Sequence, residues 1–116
     1  MTDKAVMILV TTGGRNDAER LGEGLVVEHL AGCCTVIPMV HSFYYWEGRI
    51  RRDHEALLLL KTLADKVEQV LAYIRSEFPH EMPEVLVVGV DGGMPEYLDW
   101  VLREVRKPEP RGSHSC

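Results

Sequence analysis

The sequence predicts an α+β fold: a four-stranded antiparallel sheet covered by two helices, with a short third helix after the last strand. Three observations predict it. Four apolar segments have strand composition, and the middle two are long and flank a two-residue turn signal. Apolar residues recur every three or four positions in two connecting segments, which is typical of amphipathic helices. The elements alternate in the order β-α-β-β-α-β, a split βαβ pattern.

The first strand and first helix are predicted from residues 5–32. Residues 5–11 (AVMILVT) form a continuous apolar run, which indicates a buried strand. After two glycines, Asn16 has the character of an N-cap, with Glu19 at capping-box spacing. We expect this helix to end at Gly32. Its apolar stripe consists of Ala18, Leu21, Leu25, Val26 and Leu30.

A long hairpin is the most distinctive predicted feature. Residues 33–45 and 49–62 form two arms of about 13 residues around Glu47-Gly48, whereas strands usually have about 5–6 residues. The return arm is polar near the turn and apolar far from it, so the tip should project from the body. Pro38 cannot donate a ladder hydrogen bond, which predicts an edge or a bulge on the first arm.

The remaining chain is predicted to add a helix, a strand and a last helix. Thr62 is the expected N-cap of the second helix, with Asp65 three residues on. Residues 85–90 (VLVVGV) indicate another buried strand, and Pro95 suits the first turn of the last helix. The second helix presents Val67, Val70, Leu71, Ile74 and Phe78, and the last presents Tyr97, Leu98, Val101, Leu102 and Val105.

This order predicts a ferredoxin-like βαββαβ domain over residues 1–106, with residues 107–116 as a flexible polar tail. Both main helices then cover one face of the sheet. The other face is apolar too, because residues 5–10 and 57–60 are apolar at every position. Exposing about eight such side chains would forfeit roughly 1.5–3 kcal/mol each, more than the roughly 5–15 kcal/mol that stabilises a domain. The sequence therefore predicts an obligate homo-oligomer, and the aromatic residues 43–46 mark a candidate interface near the hairpin tip.

Four motifs in order resemble one family. Residues 44–48 (YYWEG), 57–62 (LLLLKT), 79–84 (PHEMPE) and 97–100 (YLDW) are similar to the signature of the CutA divalent-cation tolerance family. The resemblance spans about residues 5–105. It implies a tight homotrimer similar to PII-type signalling trimers, and a role in tolerance of divalent metals, especially copper. It implies no established catalysis.

Composition narrows the class of protein further. The 116 residues fit a single domain, and a net charge of −5 argues against nucleic acid as the main partner. The N-terminus does not resemble a signal peptide, and no apolar run approaches the roughly 20 residues of a membrane span. The three cysteines show no disulfide framework. We therefore expect a cytoplasmic protein without membrane insertion, with a protein partner that the sequence does not identify.

The sequence excludes one location for a metal site and offers another. The copper site described in relatives corresponds to Val10, Glu77 and Phe78, and an apolar valine and phenylalanine cannot bind a metal. If Glu47-Gly48 is the turn, positions that sum to 95 face each other, which sets His41 opposite His54. This pair could bind Cu(II) or another divalent cation, although no cofactor is required. The alternatives are a solvated histidine pair, or a bulge that separates the two rings.

Two further residues are weaker candidates for metal ligands. Cys33 matches a cysteine of the resembled family, but a buried thiol is also a small hydrophobic residue that needs no function. His80 stands where the family commonly has tyrosine. It lies within the 79–84 motif.

The motifs that resemble the CutA signature also imply an intersubunit cleft beside the hairpin. Lys61 ends an apolar strand, where a charge needs a partner, and Glu84 could supply it. The cleft is then either an interface ion pair or a pocket for a small anion or regulatory ligand. Its candidate residues are Trp46, Glu47, Lys61, Glu84, Tyr97 and Trp100.

A different class of function rests on residues 11–15 (TTGGR). Arg15 precedes a predicted helix N-terminus, an arrangement that can hold an anion. The alternative function is therefore a small hydrolase or an anion-binding protein that uses the Arg15 loop. No nucleophile and base are paired in the sequence, so we expect no enzymatic activity.

Overall fold

The computed structural model describes residues 4–107. Within them lie four strands, β1 to β4, and three helices, α1 to α3, with a 3₁₀ turn between β3 and α2. Of the predicted tail, residues 108–116 lie outside the described residues. The elements run β1 Ala5–Thr12, α1 Arg15–Val27, β2 Cys33–Trp46, β3 Arg49–Leu63, the turn Ala64–Lys66, α2 Val67–Glu77, β4 Glu84–Gly89 and α3 Pro95–Val105.

The four strands form one sheet in the order β2-β3-β1-β4, and every neighbouring pair is antiparallel. β1 is central, as its apolar sequence predicts. Val6 faces Thr62 on one side and Gly89 on the other. β2 and β4 are the two edges of the sheet. The predicted α+β class and the antiparallel sheet are confirmed.

Alternation along the strands separates a covered face from an open face. On the covered face, α1 and α2 pack against the even-numbered positions of β1 and β3. These helices contribute the residues predicted from their stripes, such as Leu21, Leu25 and Ile74, each of which is fully or almost fully buried. The strands contribute Val6, Ile8, Val10, Ala56, Leu58 and Leu60.

Helix α3 covers only one end of the open face. Its Val101 and Val105 bury Leu63, the last residue of β3, in a second small core. The helix approaches closely because Gly32 has no side chain: a Cβ there would lie 3.2 Å from the Val101 Cα. Two bonds from Arg106 to the Asp65 carboxylate, at 2.8 and 3.2 Å, join the end of α3 to the 3₁₀ turn.

Two predicted helix caps are wrong. Helix α1 begins at Arg15 with Gly14 as its N-cap, so Asn16 lies inside the first turn. Thr62 remains in β3, where its buried hydroxyl donates to the Leu30 carbonyl at 2.7 Å. A carbonyl from a distant loop therefore takes the hydroxyl that sequence spacing assigned to a cap. The predicted end of α1 at Gly32 is also too late, since the helix ends at Val27.

The hairpin has the predicted turn. Glu47 and Gly48 have φ values of 52° and 79°, the left-handed conformations that a two-residue hairpin turn requires. The expected bulge is also present. Pro38 and Met39 lie between the pairs Ile37–Leu57 and Val40–Glu55, where β3 has only one residue. Pro38 therefore sits on an edge strand at a bulge.

Candidate functional site

An open groove lies between the hairpin and β4, on the open face of the sheet. The hairpin contributes Tyr44, Trp46 and Arg51, and the other side contributes Glu84 and Leu86. The Tyr44 hydroxyl donates to the Asp53 carboxylate, and this hydrogen bond raises the pKa of the Tyr44 phenol. The groove thus combines aromatic surface with both signs of charge.

A second cluster lies at the α3 end of the sheet. The Lys61 ammonium donates to the Thr35 hydroxyl at 2.7 Å and lies 3.9 Å from the Cys33 sulfur. Partial burial raises the pKa of the Tyr97 phenol, and a hydrogen bond with Cys33 raises it further. Tyr97 stacks on Trp100 with ring centroids 6.0 Å apart. This lysine–thiol–tyrosine group is polar and half-buried beside an apolar sheet face.

The six predicted cleft residues therefore divide into two groups within one chain. Trp46 and Glu84 line the groove, and Glu47 is exposed at the turn. Lys61, Tyr97 and Trp100 belong to the other cluster. Lys61 faces Met7 and Glu84 faces Thr11, so about 14 Å along β1 separates the two charges. The structure shows no ion pair between them within the chain. A pair formed between two copies stays a prediction.

The adjacent cysteines have different environments, as strand alternation predicts. Cys33 shares the open face with Lys61. Cys34 packs on the covered face, against the main core. Burial, reinforced by the neighbouring Cys33, raises the pKa of the Cys34 thiol to about 12. Thr35, the neutral partner of Lys61, was not predicted, because the β2–β3 register at this end depends on the bulge.

The structure brings the predicted histidine pair together. His41 faces His54 across the hairpin, and their ring centroids are 4.6 Å apart. The bulge lies below the pair, between Ile37 and Val40, so it does not separate the rings. The other two proposed ligands, Cys33 and His80, lie elsewhere. Within residues 4–107, no group of three or more His, Cys, Asp or Glu side chains could hold a metal ion.

At the positions to which the resemblance assigned a copper site, two of the three side chains are apolar. Val10 and Phe78 line the same small cavity of about 30 Å³. Glu77 lies 3.5 Å from the Arg20 guanidinium, which also sits 5.7 Å above the Phe78 ring. Apolar walls and an ion-paired carboxylate replace a ligand set there.

The Arg15 loop gives little support to the alternative function. Arg15 is the first residue of α1 and pairs with Glu19 at 3.3 Å. Gly13 and Gly14 line a shallow hollow beside it, together with His54. An arginine engaged by a carboxylate is not a prepared anion site, so the loop does not favour a hydrolase.

The fold and the open face define a small α+β protein whose candidate site lies on a sheet surface. The family model described as CutA1 divalent ion tolerance protein matches residues 6–104. The divalent-cation tolerance protein CutA of Yersinia pestis (strain Pestoides F) is 36% identical over 97 residues, which cover 84% of this chain and 82% of that protein.

A plant relative and the structure of a plant protein are also similar to this chain. The chloroplastic protein CutA of Arabidopsis thaliana is 30% identical over 105 residues, which cover 90% of this chain but 58% of that longer protein. The crystal structure of CutA1 from Oryza sativa superposes with a TM-score of 0.86 at 28% identity, covering 92% of this chain and 98% of that chain. This chain belongs to the CutA1 divalent ion tolerance family.

Proposed function

We propose that this chain is a homotrimeric protein of divalent metal ion tolerance, copper in particular, and that it acts by binding metal ions or as a signalling or scaffold trimer. The observation that carries the proposal is the apolar open face. Met7, Leu9, Leu57 and Leu59 lie on it half-buried, and Leu86 is 66% exposed. Within the described residues, only α3 packs on this face, and it covers only one end.

The fold supports covering this face with further copies of the chain. The strand order and the two helices on one face support the proposal of a ferredoxin-like subunit. A contiguous apolar patch of this kind on a single chain usually marks an interface. The number three comes from the resemblance to PII-type trimers. The projecting hairpin, whose Tyr45 is 74% exposed, provides a protrusion that can engage a different surface on the next copy.

Association would also complete the predicted cleft. One copy offers a groove lined by Trp46 and Glu84, and the other end of the same face offers Lys61, Tyr97 and Trp100. Two copies that meet head to tail could bring these groups together, either as an ion pair or around a small anion. No enzymatic step is proposed for this cleft.

The cytoplasm is our proposed location. Within residues 4–107, no helix has both the length and the apolar character needed to cross a membrane. Cys33 and Cys34 are free thiols, which suits a reducing compartment. The name of the Arabidopsis relative places that protein in the chloroplast.

The function is tested by growth of a bacterial strain that lacks its own CutA protein, at increasing copper concentration. We expect the full chain to restore growth. The variant Leu86→Lys, which places a charge on the open face, should restore it poorly. Val26→Lys serves as the matched control, because Val26 is 37% exposed on α1. No restoration by well-expressed wild-type protein would contradict the proposed role in tolerance.

A further inference from the structure

We propose that His41 and His54 form a bidentate site for a divalent transition-metal ion, located where the hairpin leaves the body of the subunit. The site gives the proposed role in metal tolerance a place on this chain, and it rests on that role only for its biological purpose. It is distinct from the positions of Val10, Glu77 and Phe78, which cannot hold a metal.

The backbone fixes the two imidazoles relative to each other. His41 and His54 are direct cross-strand partners, and ring centroids 4.6 Å apart place the two rings on the same side of the ladder. Directly opposite residues have Cβ atoms about 4.5–5.5 Å apart. One ring nitrogen from each side chain can therefore reach a common ion at the usual Zn–N distance of about 2.0–2.1 Å after small rotations.

The ladder around the pair is regular on the side of the turn. Pairing continues from Val40–Glu55 through His41–His54 to Trp46–Arg49 without interruption. The bulge at Pro38 and Met39 is confined to the other side. Two ligands on a pre-formed ladder lose little freedom on binding, which favours a chelate over two independent histidines.

The surroundings leave room for the remaining ligands. Both imidazoles are exposed, so water can complete the coordination sphere. Arg52 is the charged neighbour on the same face, and its guanidinium lies 5.1 Å above the Phe43 ring. Arg15 borders the hollow beside His54 and pairs with Glu19. These positive groups weaken attraction to a cation but occupy neither ring.

The donor set selects the class of ion. Imidazole nitrogens suit Cu(II), Ni(II) and Zn(II), whereas Mg²⁺ and Ca²⁺ prefer oxygen ligands. Affinity for a given nitrogen site rises along the first-row metals to Cu(II). We therefore expect Cu(II) to bind most tightly, with Ni(II) and Zn(II) weaker and Mg²⁺ without measurable binding.

Calorimetry with Ni(II), which does not oxidise the cysteines, tests the site in the full chain. All proteins carry His114→Ala, so that this imidazole outside residues 4–107 adds nothing. We expect His41→Ala and His54→Ala each to weaken binding by about 10²-fold, because each leaves a single imidazole, and the double variant to lose measurable binding at this site. His80→Ala, an exposed histidine on a different loop, is the matched control and should change affinity less than twofold.

Electron paramagnetic resonance with one equivalent of Cu(II) gives an independent readout. Coupling to two imidazole nitrogens is expected, falling to one in His54→Gln, which preserves a polar side chain if alanine disturbs the hairpin. Equal affinity in all variants, or no binding heat for the parent protein, would overturn the site. The absence of binding heat would also contradict metal binding as the mode of action, whereas the proposed trimer and the role in tolerance are judged separately by molecular mass and by growth in copper.

Discussion

The adjacent thiols of Cys33 and Cys34 lie in different environments because successive side chains of a strand point to opposite faces of the sheet. Cys33 lies beside the Lys61 ammonium on the open face, and Cys34 is packed into the core. Sequence alternation alone predicts that the two thiols diverge. The amount by which burial shifts the Cys34 pKa follows only from the packed structure.

Cys34 should be nearly inert to alkylation in the folded protein. With its pKa raised to about 12 from the ordinary 9.0, its thiolate fraction at pH 8 falls steeply. We expect iodoacetamide to label it about 10²–10³-fold more slowly than a free thiol. Peptide mapping by mass spectrometry measures this, with labelling in urea as the control. Labelling of native Cys34 at the rate seen in urea would contradict the buried assignment.

Gly32 should not tolerate even alanine. An added Cβ would lie 3.1 Å from the Val101 Cγ1 and 3.2 Å from its Cα, so the backbone of α3 would have to move. We expect Gly32→Ala to lower the free energy of unfolding by about 1–3 kcal/mol, measured by urea denaturation. Gly13→Ala is the control, because nothing lies within 4 Å of a Cβ there. Equal stabilities of the two variants would contradict the close approach of α3.

At the scale of elements, the turn residues and the apolar periodicity gave correct predictions, whereas the capping motifs gave wrong ones. The Glu47-Gly48 turn gives the register of seven hairpin pairs from Trp46–Arg49 to Val40–Glu55. Pro38 predicted the bulge but not the shift in strand register that the bulge causes beyond it. The predicted cap at Thr62 failed because a short local motif cannot show that a distant carbonyl, that of Leu30, accepts the hydroxyl hydrogen bond. The predicted cap at Asn16 failed because the helix begins one residue earlier, at Arg15, with Gly14 as its N-cap.

The turn itself is a site where stability can be gained. Glu47 adopts φ 52°, which asparagine accepts more readily than glutamate does. We expect Glu47→Asn to raise the free energy of unfolding by about 0.5 kcal/mol. Glu81→Asn, at an exposed loop position without positive φ, should change it less. A clear loss of stability in Glu47→Asn would refute the turn argument and point to a contact made by the carboxylate.

At the scale of the whole molecule, the sequence predicted the excess of apolar surface but not the division of the cleft. Continuous apolar runs in β1 and β3 indicated that both sheet faces need cover, and the open face is accordingly apolar. The six cleft residues were grouped by their motifs, yet within one chain they lie at two ends of that face. Sequence motifs carry no information about the distance between the residues that they contain and those of another motif.

A charge on the open face should disrupt assembly without unfolding the subunit. Leu86 is 66% exposed in a single chain, so Leu86→Lys costs an isolated subunit little. If copies bury this residue, the variant loses roughly 1.5–3 kcal/mol of apolar burial. We expect the dissociation constant to rise at least about tenfold, measured by light scattering over a dilution series. An unchanged mass, equal to that of Val26→Lys, would contradict burial of Leu86 between copies.

The central claim is that further copies of the chain cover the open face of the sheet. Sedimentation equilibrium of the full wild-type chain tests it most directly, because it measures the number of copies. We predict one species with a mass near three times the 13.1 kDa of the chain, independent of concentration through the low micromolar range and of added copper. A folded, soluble species of 13.1 kDa at these concentrations would contradict the account.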